Sequence, residues 1–232
     1  MPQRVILDVD TGLDDAIAII FGVIDPRIEL VAITCVNGNV VRFTPPRETL
    51  HTPRPAGPAL SGLSPPRPQD LDHVCENTLR VLDALGASAV PVYRGLATGV
   101  TRDSFPNGEP FNGRAEQSKI HGAHLPLPAA TSRVQDEDAI SFLTRTYSAE
   151  PEPPALVAVG PLTNLAMMLR LRPELAARIP RLVVMGGGHG LGNATSSAEF
   201  NIWTDPEAAE LGAPHIASLL PLPFGARPLL LS

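Results

Sequence analysis

Four aspartates near the amino terminus have the residue type and the spacing for metal chemistry. Asp8, Asp10, Asp14 and Asp15 lie within eight residues of one another, between two apolar runs. Carboxylates this close repel one another unless a cation neutralises them, and ligands that are all oxygen suit a hard ion such as calcium or magnesium. A solvated acidic helix start is the alternative explanation, because helices favour Asp and Glu in their first turn.

A strand, a tight loop and a helix must position these carboxylates. Residues 5–7 are an apolar run that predicts a buried strand, and Thr11-Gly12 predicts a turn. The apolar residues after it fit a helix, so that Asp14 and Asp15 fall in its first turn. The acidic loop then lies at the carboxyl end of a strand, which is where α/β proteins place their ligand sites.

The rest of the chain repeats this alternation of strand and helix. The pattern predicts an α/β fold, with an open and mostly parallel sheet flanked by helices. Further strands are predicted at residues 29–36, 90–93, 155–159 and 181–185, and further helices at 77–85, 136–148 and 165–171, with another that begins after the N-cap residue Asp205.

Composition narrows the class of protein. The chain has 232 residues and a net charge of −6, which argues against a nucleic-acid surface. It has no apolar run of membrane-spanning length and no secretion signal at its start, so we expect no membrane partner and a cytoplasmic location. Its two cysteines, Cys35 and Cys75, fit neither a zinc site nor a disulfide framework, and we expect buried, reduced thiols.

One segment departs from the pattern of an otherwise single domain over residues 1–232. Residues 42–70 contain eight prolines and almost no periodic apolar pattern. Proline breaks helices and cannot donate to a sheet, and a structureless stretch of this length is abnormal inside a compact domain. We predict a disordered insertion at 42–70. Residues 211–232 form a second divergent segment, an apolar tail broken by prolines.

Several motifs together resemble the nucleoside hydrolases, the inosine-uridine preferring group. The first is Asp8-x-Asp10-x-x-x-Asp14-Asp15, and the second is Gly-Pro-Leu-Thr-Asn at residues 160–164 after a buried strand. The third is Met-Gly-Gly at 185–187, followed by Asn193 and by Glu-Phe-Asn at 199–201. The resemblance covers residues 2–41, 72–122 and 155–210, and it is weakest in the middle block.

The resemblance implies a calcium-dependent N-ribohydrolase that cleaves nucleosides to ribose and free base. Calcium would be held by Asp10, Asp15 and the backbone carbonyl of Thr163, and Asp10 would take a proton from a bound water. The expected partner is a nucleoside, and a homo-oligomer is possible. The residues implied to bind substrate are Asp14, Asn39, Met185, Asn193, Glu199 and Asn201, with His121 in the base pocket.

The sequence also departs from the family pattern. The resemblance ends near residue 211, so we expect a carboxyl-terminally truncated version of the fold. The His-Asp pair that closes the family's calcium site and protonates the leaving base has no counterpart in this sequence. We therefore expect weak calcium binding and impaired turnover, and we expect the impairment to be greatest for natural nucleosides. We keep two alternative functions. One is a catalytically impaired binding module. The other is a haloacid dehalogenase-type phosphatase based on Asp8-x-Asp10, whose required lysine could only be Lys119.

Overall fold

A computed structural model describes residues 1–38, 69–101 and 124–219 of the chain. Two predicted site residues, Asn39 and His121, lie outside these ranges. Most of the predicted insertion and residues 220–232 of the divergent tail also lie outside them.

Five parallel strands form one sheet, as the apolar runs predict. Their order across the sheet is β3-β2-β1-β4-β5, so that β1 lies in the centre. Because the strands run parallel, all their carboxyl ends meet at one edge of the sheet. The strands are β1 (Gln3–Val9), β2 (Ile28–Cys35), β3 (Val92–Arg94), β4 (Ala155–Ala158) and β5 (Leu182–Val184).

Helices connect the strands and cover both faces of the sheet. They are α1 (Leu13–Ile24), α2 (Gln69–Ala84), α3 (Ala139–Ala149), α4 (Thr163–Leu171), α5 (Phe200–Thr204) and α6 (Pro206–Leu219), with a 3₁₀ helix at Pro173–Arg178. The α/β fold class is therefore confirmed. Within the described ranges, no helix combines the length and the apolar character needed to cross a membrane.

Alternate residues of β1 divide the core into two layers. Val5, Leu7 and Val9 pack with α1 and α2 on one face, and Ile6 packs with α3 and α4 on the other. This is the period-two alternation of a strand that is buried on both faces. The side chain of Asp8 follows Ile6 onto the α4 face of the sheet.

Three helix starts differ from the prediction: α2 begins eight residues earlier than predicted, α4 two residues earlier, and α3 three residues later, at Ala139. Helix α2 begins at Gln69, so residues 69 and 70 are helical and the prediction of disorder was wrong for them. Helix α4 begins at Thr163, two residues before the predicted start, because the backbone enters the helix directly after Leu162. The N-cap prediction for Asp205 is confirmed, since its Oδ1 accepts a hydrogen bond from the backbone N–H of Ala208, 3.0 Å away.

The layered core gives a direct stability test. Leu156 of β4 is fully buried, whereas Val183 on the edge strand β5 is 42 % exposed. We expect Leu156→Ala to lower the free energy of unfolding by about 2–5 kcal/mol, because it leaves a cavity beside the central strand. The control Val183→Ala should cost less than about 1 kcal/mol, because it removes little buried surface. Equal losses in urea denaturation would contradict the assigned core.

Candidate active site

The acidic loop lies where the strand order of the sheet reverses. Strand β1 pairs with β2 on one side and with β4 on the other, so the connections diverge at this point. Crevices at such switch points are the usual ligand sites of open parallel sheets. The segments that meet here are residues 10–12 after β1, residues 36–38 after β2 and residues 159–162 after β4.

Asp8 is a buried carboxylate at the end of β1. Its Oδ1 accepts hydrogen bonds from Thr34 Oγ1 at 2.5 Å and from Asn164 Nδ2 at 2.8 Å. Its Oδ2 is also buried and has no hydrogen-bond partner among the described residues. Burial raises the pKa of the Asp8 carboxyl to about 7; the two hydrogen bonds oppose this shift, and the charge of Asp15 adds to it.

Asn164 joins the ends of three strands through one side chain. Its Nδ2 donates to Asp8 on β1 and to the backbone carbonyl of Cys35 on β2, at 2.8 and 3.1 Å. Its Oδ1 accepts from the backbone N–H of Leu96, just after β3, at 3.1 Å. Gly95 packs so closely against this amide that a Cβ there would lie 2.4 Å from Asn164 Oδ1. The amide therefore fixes the relative positions of these strand ends.

Asp15 holds the turn between β1 and α1. Its Oδ2 accepts from the backbone N–H of Gly12 at 2.9 Å, and its Oδ1 accepts a longer bond from the N–H of Asp10 at 3.3 Å. The carboxylate also lies in the first turn of α1, where the helix dipole stabilises negative charge. Asp15 thus shapes the backbone on which the Asp10 side chain is carried.

Asp10 is fully buried, and two glycines crowd its carboxylate. A Cβ on Gly38 would lie 2.1 Å from Asp10 Oδ2, and a Cβ on Gly160 would lie 3.0 Å from Asp10 Oδ1. Real Cβ atoms do not approach an oxygen as closely as 2.1 Å, so only glycine fits at position 38 in this arrangement. The turns after β2 and β4 therefore form a close-fitting cradle for the Asp10 carboxylate.

Thr163 follows Gly160 of this cradle by three residues, and it lies in a helix and not in a free turn. It is the first residue of α4, and its Oγ1 donates to Asp205 Oδ2 at 2.7 Å. Carbonyls at this place in a helix accept from the N–H four residues later. The Thr163 carbonyl would therefore have to serve a metal with its second lone pair while it remains in the helix.

The residues expected to bind sugar are mostly engaged with the backbone. Asn201 Nδ2 donates to the carbonyls of Val159 and Met185, at 2.8 and 2.9 Å, and so joins the ends of β4 and β5. Glu199 accepts from the N–H groups of Gly187, Asn201 and Ile202, and it thereby caps α5.

The remaining sugar candidates are more exposed. Asn193 Oδ1 accepts from the N–H of Phe200 at 2.8 Å, and it lies in the loop before α5. Asp14 and Met185 are exposed, at the start of α1 and after β5 respectively. The structure thus brings Asn201 to the end of β4, beside Gly160 and the Asp10 cradle, and it leaves Asp14 and Asn193 at the surface.

The acidic loop meets the chemical requirements of a hard cation in part. Asp8, Asp10 and Asp15 supply only oxygen donors, all three are buried, and one Asp8 oxygen is unsatisfied within the described chain. Calcium and magnesium prefer such donors. Across residues 1–38, 69–101 and 124–219, however, no three His, Cys, Asp or Glu side chains converge in a geometry ready for a metal. The donor types fit calcium, and the described ligand set is incomplete.

Several of the organising residues have no role that the sequence indicates. Asn164 ends the Gly-Pro-Leu-Thr-Asn motif, Thr34 lies inside the strand predicted at 29–36, and Gly38 follows that strand. A Cβ on Gly38 would meet Asp10 first. The available signal was positional, because each of these residues follows or ends a predicted parallel strand and must meet the others at one edge.

Comparison with known proteins places this geometry in a family. The family profile described as inosine-uridine preferring nucleoside hydrolase matches residues 5–50 and 68–217. A pyrimidine-specific ribonucleoside hydrolase RihA of Salmonella arizonae is 37 % identical over 211 residues, which are 91 % of this chain and 57 % of the relative. The RihA of Citrobacter koseri is 36 % identical over 91 % of this chain and 56 % of its own. The chain thus spans little more than half the length of these relatives.

Solved structures have the same fold. A purine-preferring ribonucleoside hydrolase from Gardnerella vaginalis superposes with a TM-score of 0.71 at 29 % identity, over 92 % of this chain and 58 % of its own. A plant nucleoside hydrolase superposes with a TM-score of 0.69 at 26 % identity, over 91 % of this chain and 56 % of its own.

The raised pKa of Asp8 predicts a specific dependence of stability on pH. Burial raises the pKa of the folded Asp8 carboxyl from its ordinary value of 3.8 to about 7, so between these pH values the folded state binds an extra proton. Without a bound cation, the free energy of unfolding should therefore fall as pH rises from about 4 to 7, by an amount of the order of 4 kcal/mol. Asp8→Asn cannot titrate and should remove this contribution. Parallel stability curves for the two proteins in chelator would contradict the assignment.

The cradle around Asp10 predicts a position-dependent effect of adding one methyl group. Gly38→Ala should lower the free energy of unfolding by about 1–3 kcal/mol, because the new Cβ forces the Asp10 carboxylate to move. Gly22→Ala is the matched control: its Cβ would meet only flexible leucine side-chain ends, the nearest at 3.3 Å. Alanine also suits a helix interior better than glycine. Thermal denaturation in which both variants behave alike would rule out the cradle.

Proposed function

The chain belongs to the inosine-uridine preferring nucleoside hydrolase family, and we propose that it hydrolyses the N-glycosidic bond of ribonucleosides with the help of a bound calcium ion. The observation that carries the proposal is the fully buried Asp10 carboxylate, held by Gly38 and Gly160 at the switch point of the sheet. A carboxylate that is buried and restrained in this way suits both metal binding and proton abstraction.

Asp10, Asp15 and the Thr163 carbonyl would hold the cation. A bound calcium would supply positive charge that favours deprotonation of a neighbouring water molecule. Asp10 lies in the loop after β1, and Asp15, in the first turn of α1, maintains the shape of that loop through its bonds to the N–H groups of Gly12 and Asp10. Asp205 orients Thr163 by accepting the hydrogen bond of its hydroxyl.

Asp10 would accept the proton of the attacking water. The water adds to the anomeric carbon of the ribose while the bond to the base breaks, through an oxocarbenium-like transition state. The buried position of Asp10 limits competing contacts with bulk solvent, and the glycine cradle restricts its carboxylate to a narrow range of orientations. Such restriction is what a general base needs to contribute to rate.

The residues proposed to bind the sugar hydroxyls come from several segments of the chain. The candidates are Asp14, Asn39, Met185, Asn193, Glu199 and Asn201, with His121 near the base. Glu199 Oε2 already accepts from the N–H groups of Gly187, Asn201 and Ile202. Its Oε1 accepts from the N–H of Asn201 and has a second lone pair for a hydroxyl. Asn201 joins the ends of β4 and β5, so it also shapes the crevice wall.

Pyrimidine ribonucleosides are the first natural substrates to test. The sequence relatives at 36–37 % identity are named pyrimidine-specific, whereas the solved structure at 29 % identity is named purine-preferring. Uridine and inosine compared side by side cover both classes.

Of the two alternative functions, binding without turnover is kept and the phosphatase is rejected. Binding of a ribonucleoside without turnover is favoured by the incomplete metal-ligand set among the described residues. The phosphatase alternative conflicts with the family membership. It also conflicts with the burial of Asp8, whose Oδ1 is occupied by two hydrogen bonds.

Calorimetry can test the cation site without any substrate. Calcium should bind the wild-type protein, and Asp10→Asn should abolish that binding because it removes the negative charge at the centre of the site. Asp25→Asn is the control: Asp25 pairs with Arg27 at the far end of α1 and should not affect calcium binding. Calcium binding that survives Asp10→Asn would assign the cation to another site.

Turnover distinguishes hydrolysis from binding alone. A nitrophenyl riboside has a leaving group that needs little protonation, so it reports water activation by itself. In calcium buffer we expect turnover of this riboside and a loss of about 10²–10⁴-fold in kcat for Asp10→Asn, with a smaller change in KM. A kcat/KM ratio of nitrophenyl riboside to uridine well above one would indicate weak protonation of the natural leaving group. Riboside binding without turnover would support the binding-only alternative.

A further inference from the structure

We propose that two adjacent residues of α2, Asn77 and Thr78, are positioning residues that hold the loop after β1 and thereby place the Asp10 carboxylate. The proposal rests on the function proposed above, because it concerns the same loop. Neither residue belongs to the acidic motif, and neither would touch the substrate or the cation in the arrangement proposed above. Both residues contact Thr11, the residue that follows Asp10.

Thr78 contacts the side chain of Thr11. The two hydroxyl oxygens are 2.6 Å apart, and both residues are fully buried. Thr78 Oγ1 also donates to the backbone carbonyl of Val74 at 2.9 Å and lies 3.4 Å from Cys35 Sγ. Either hydroxyl can donate in the Thr11–Thr78 bond, and in both cases the bond orients the Thr11 hydroxyl toward α2.

Asn77 contacts the backbone of the same residue. Its Nδ2 donates to the Thr11 carbonyl at 3.3 Å, and its Oδ1 accepts from the N–H of Leu125 at 2.9 Å. Two neighbouring positions on α2 thus bind both the side chain and the carbonyl of one loop residue. Two bonds to different groups of Thr11 oppose its rotation more effectively than either bond alone.

This contact complements the one made from within α1. Asp15 holds the N–H groups of Asp10 and Gly12, so it restrains the loop from the helix that follows. Asn77 and Thr78 restrain Thr11, which lies between Asp10 and Gly12. They do so from a helix that is more than sixty positions away in sequence. An active-site carboxylate is effective only when its supporting residues hold it within a fraction of an ångström. The two sets of contacts together satisfy that requirement for Asp10.

The central experiment removes the Thr78 hydroxyl and keeps its shape. Thr78→Val deletes the hydrogen-bond partner of the Thr11 hydroxyl, and Thr78→Ser restores it. Thr146→Val is the matched control, because Thr146 is an equally buried helical threonine on α3 whose hydroxyl has no partner in the described structure. Asn77→Asp is a second test. It keeps an acceptor for Leu125 and replaces the donor to Thr11 by a carboxylate that cannot donate.

Two readouts distinguish positioning from general stability. The first is amide hydrogen exchange of Gly12, measured by NMR without calcium. The second is the calcium dissociation constant, with kcat and KM for nitrophenyl riboside. For Thr78→Val and for Asn77→Asp we expect Gly12 to exchange about 2- to 10-fold faster and calcium to bind about 2- to 10-fold more weakly, which is the value of one ordinary hydrogen bond. Thr78→Ser should return both quantities close to wild type, and Thr146→Val should change neither.

The outcomes separate this inference from the proposed function. If Thr78→Val and Asn77→Asp leave Gly12 exchange as in Thr146→Val, the positioning role is wrong, whatever the calcium data show. If Gly12 exchange responds as expected and the wild-type protein binds no calcium, the positioning role stands and the proposed cation chemistry fails. If Gly12 exchanges faster and calcium binds more weakly in all variants, including Thr146→Val, the cause is a general loss of stability. That result would also overturn the inference.

Discussion

The structure around the acidic loop depends on satisfying one buried carboxylate at the end of the central strand. Asp8 cannot reach solvent, so polar groups from neighbouring elements must meet it: Thr34 from β2 and Asn164 from α4. Asn164 in turn binds the Cys35 carbonyl and the Leu96 N–H. Burying a carboxylate without partners would be costly, so these bonds constrain where the strand ends lie. Asp10 directly follows β1, so its position depends on how these strand ends are held.

The sheet could be predicted from sequence because its strands are short apolar runs followed by turns. Each predicted strand has its counterpart, since parallel strands buried on both faces must be continuously apolar. Helix α2 starts at Gln69, eight residues before the predicted start, because residues 69–76 follow the prolines directly and hold only three apolar positions, Leu71, Val74 and Cys75. The start of α4 was misplaced because Gly-Pro-Leu reads as a turn, although Thr163 already has helical geometry.

Residue spacing alone indicated shared chemistry only for candidates that are close in sequence, such as Asp10 and Asp15. The distant candidates Thr163 and Glu199 came from the family resemblance. Asn77 and Thr78 act across more than sixty residues, and no local pattern marks their contacts with Thr11. The resemblance implies that Asn201 binds sugar; the structure adds that its amide nitrogen joins two strand ends, a contact that depends on tertiary geometry. Residue type predicted that these groups would be polar partners, but it did not identify the partner.

The central claim is that the Asp10 loop binds a divalent cation at the switch point of the sheet. The most direct measurement is a crystal structure of the protein grown in calcium, with anomalous difference data to locate the ion. The account predicts a peak about 2.3–2.6 Å from carboxylate oxygens of Asp10 and Asp15, on the side of the Thr163 carbonyl. A well-ordered loop with no peak there, in crystals with saturating calcium, would contradict it.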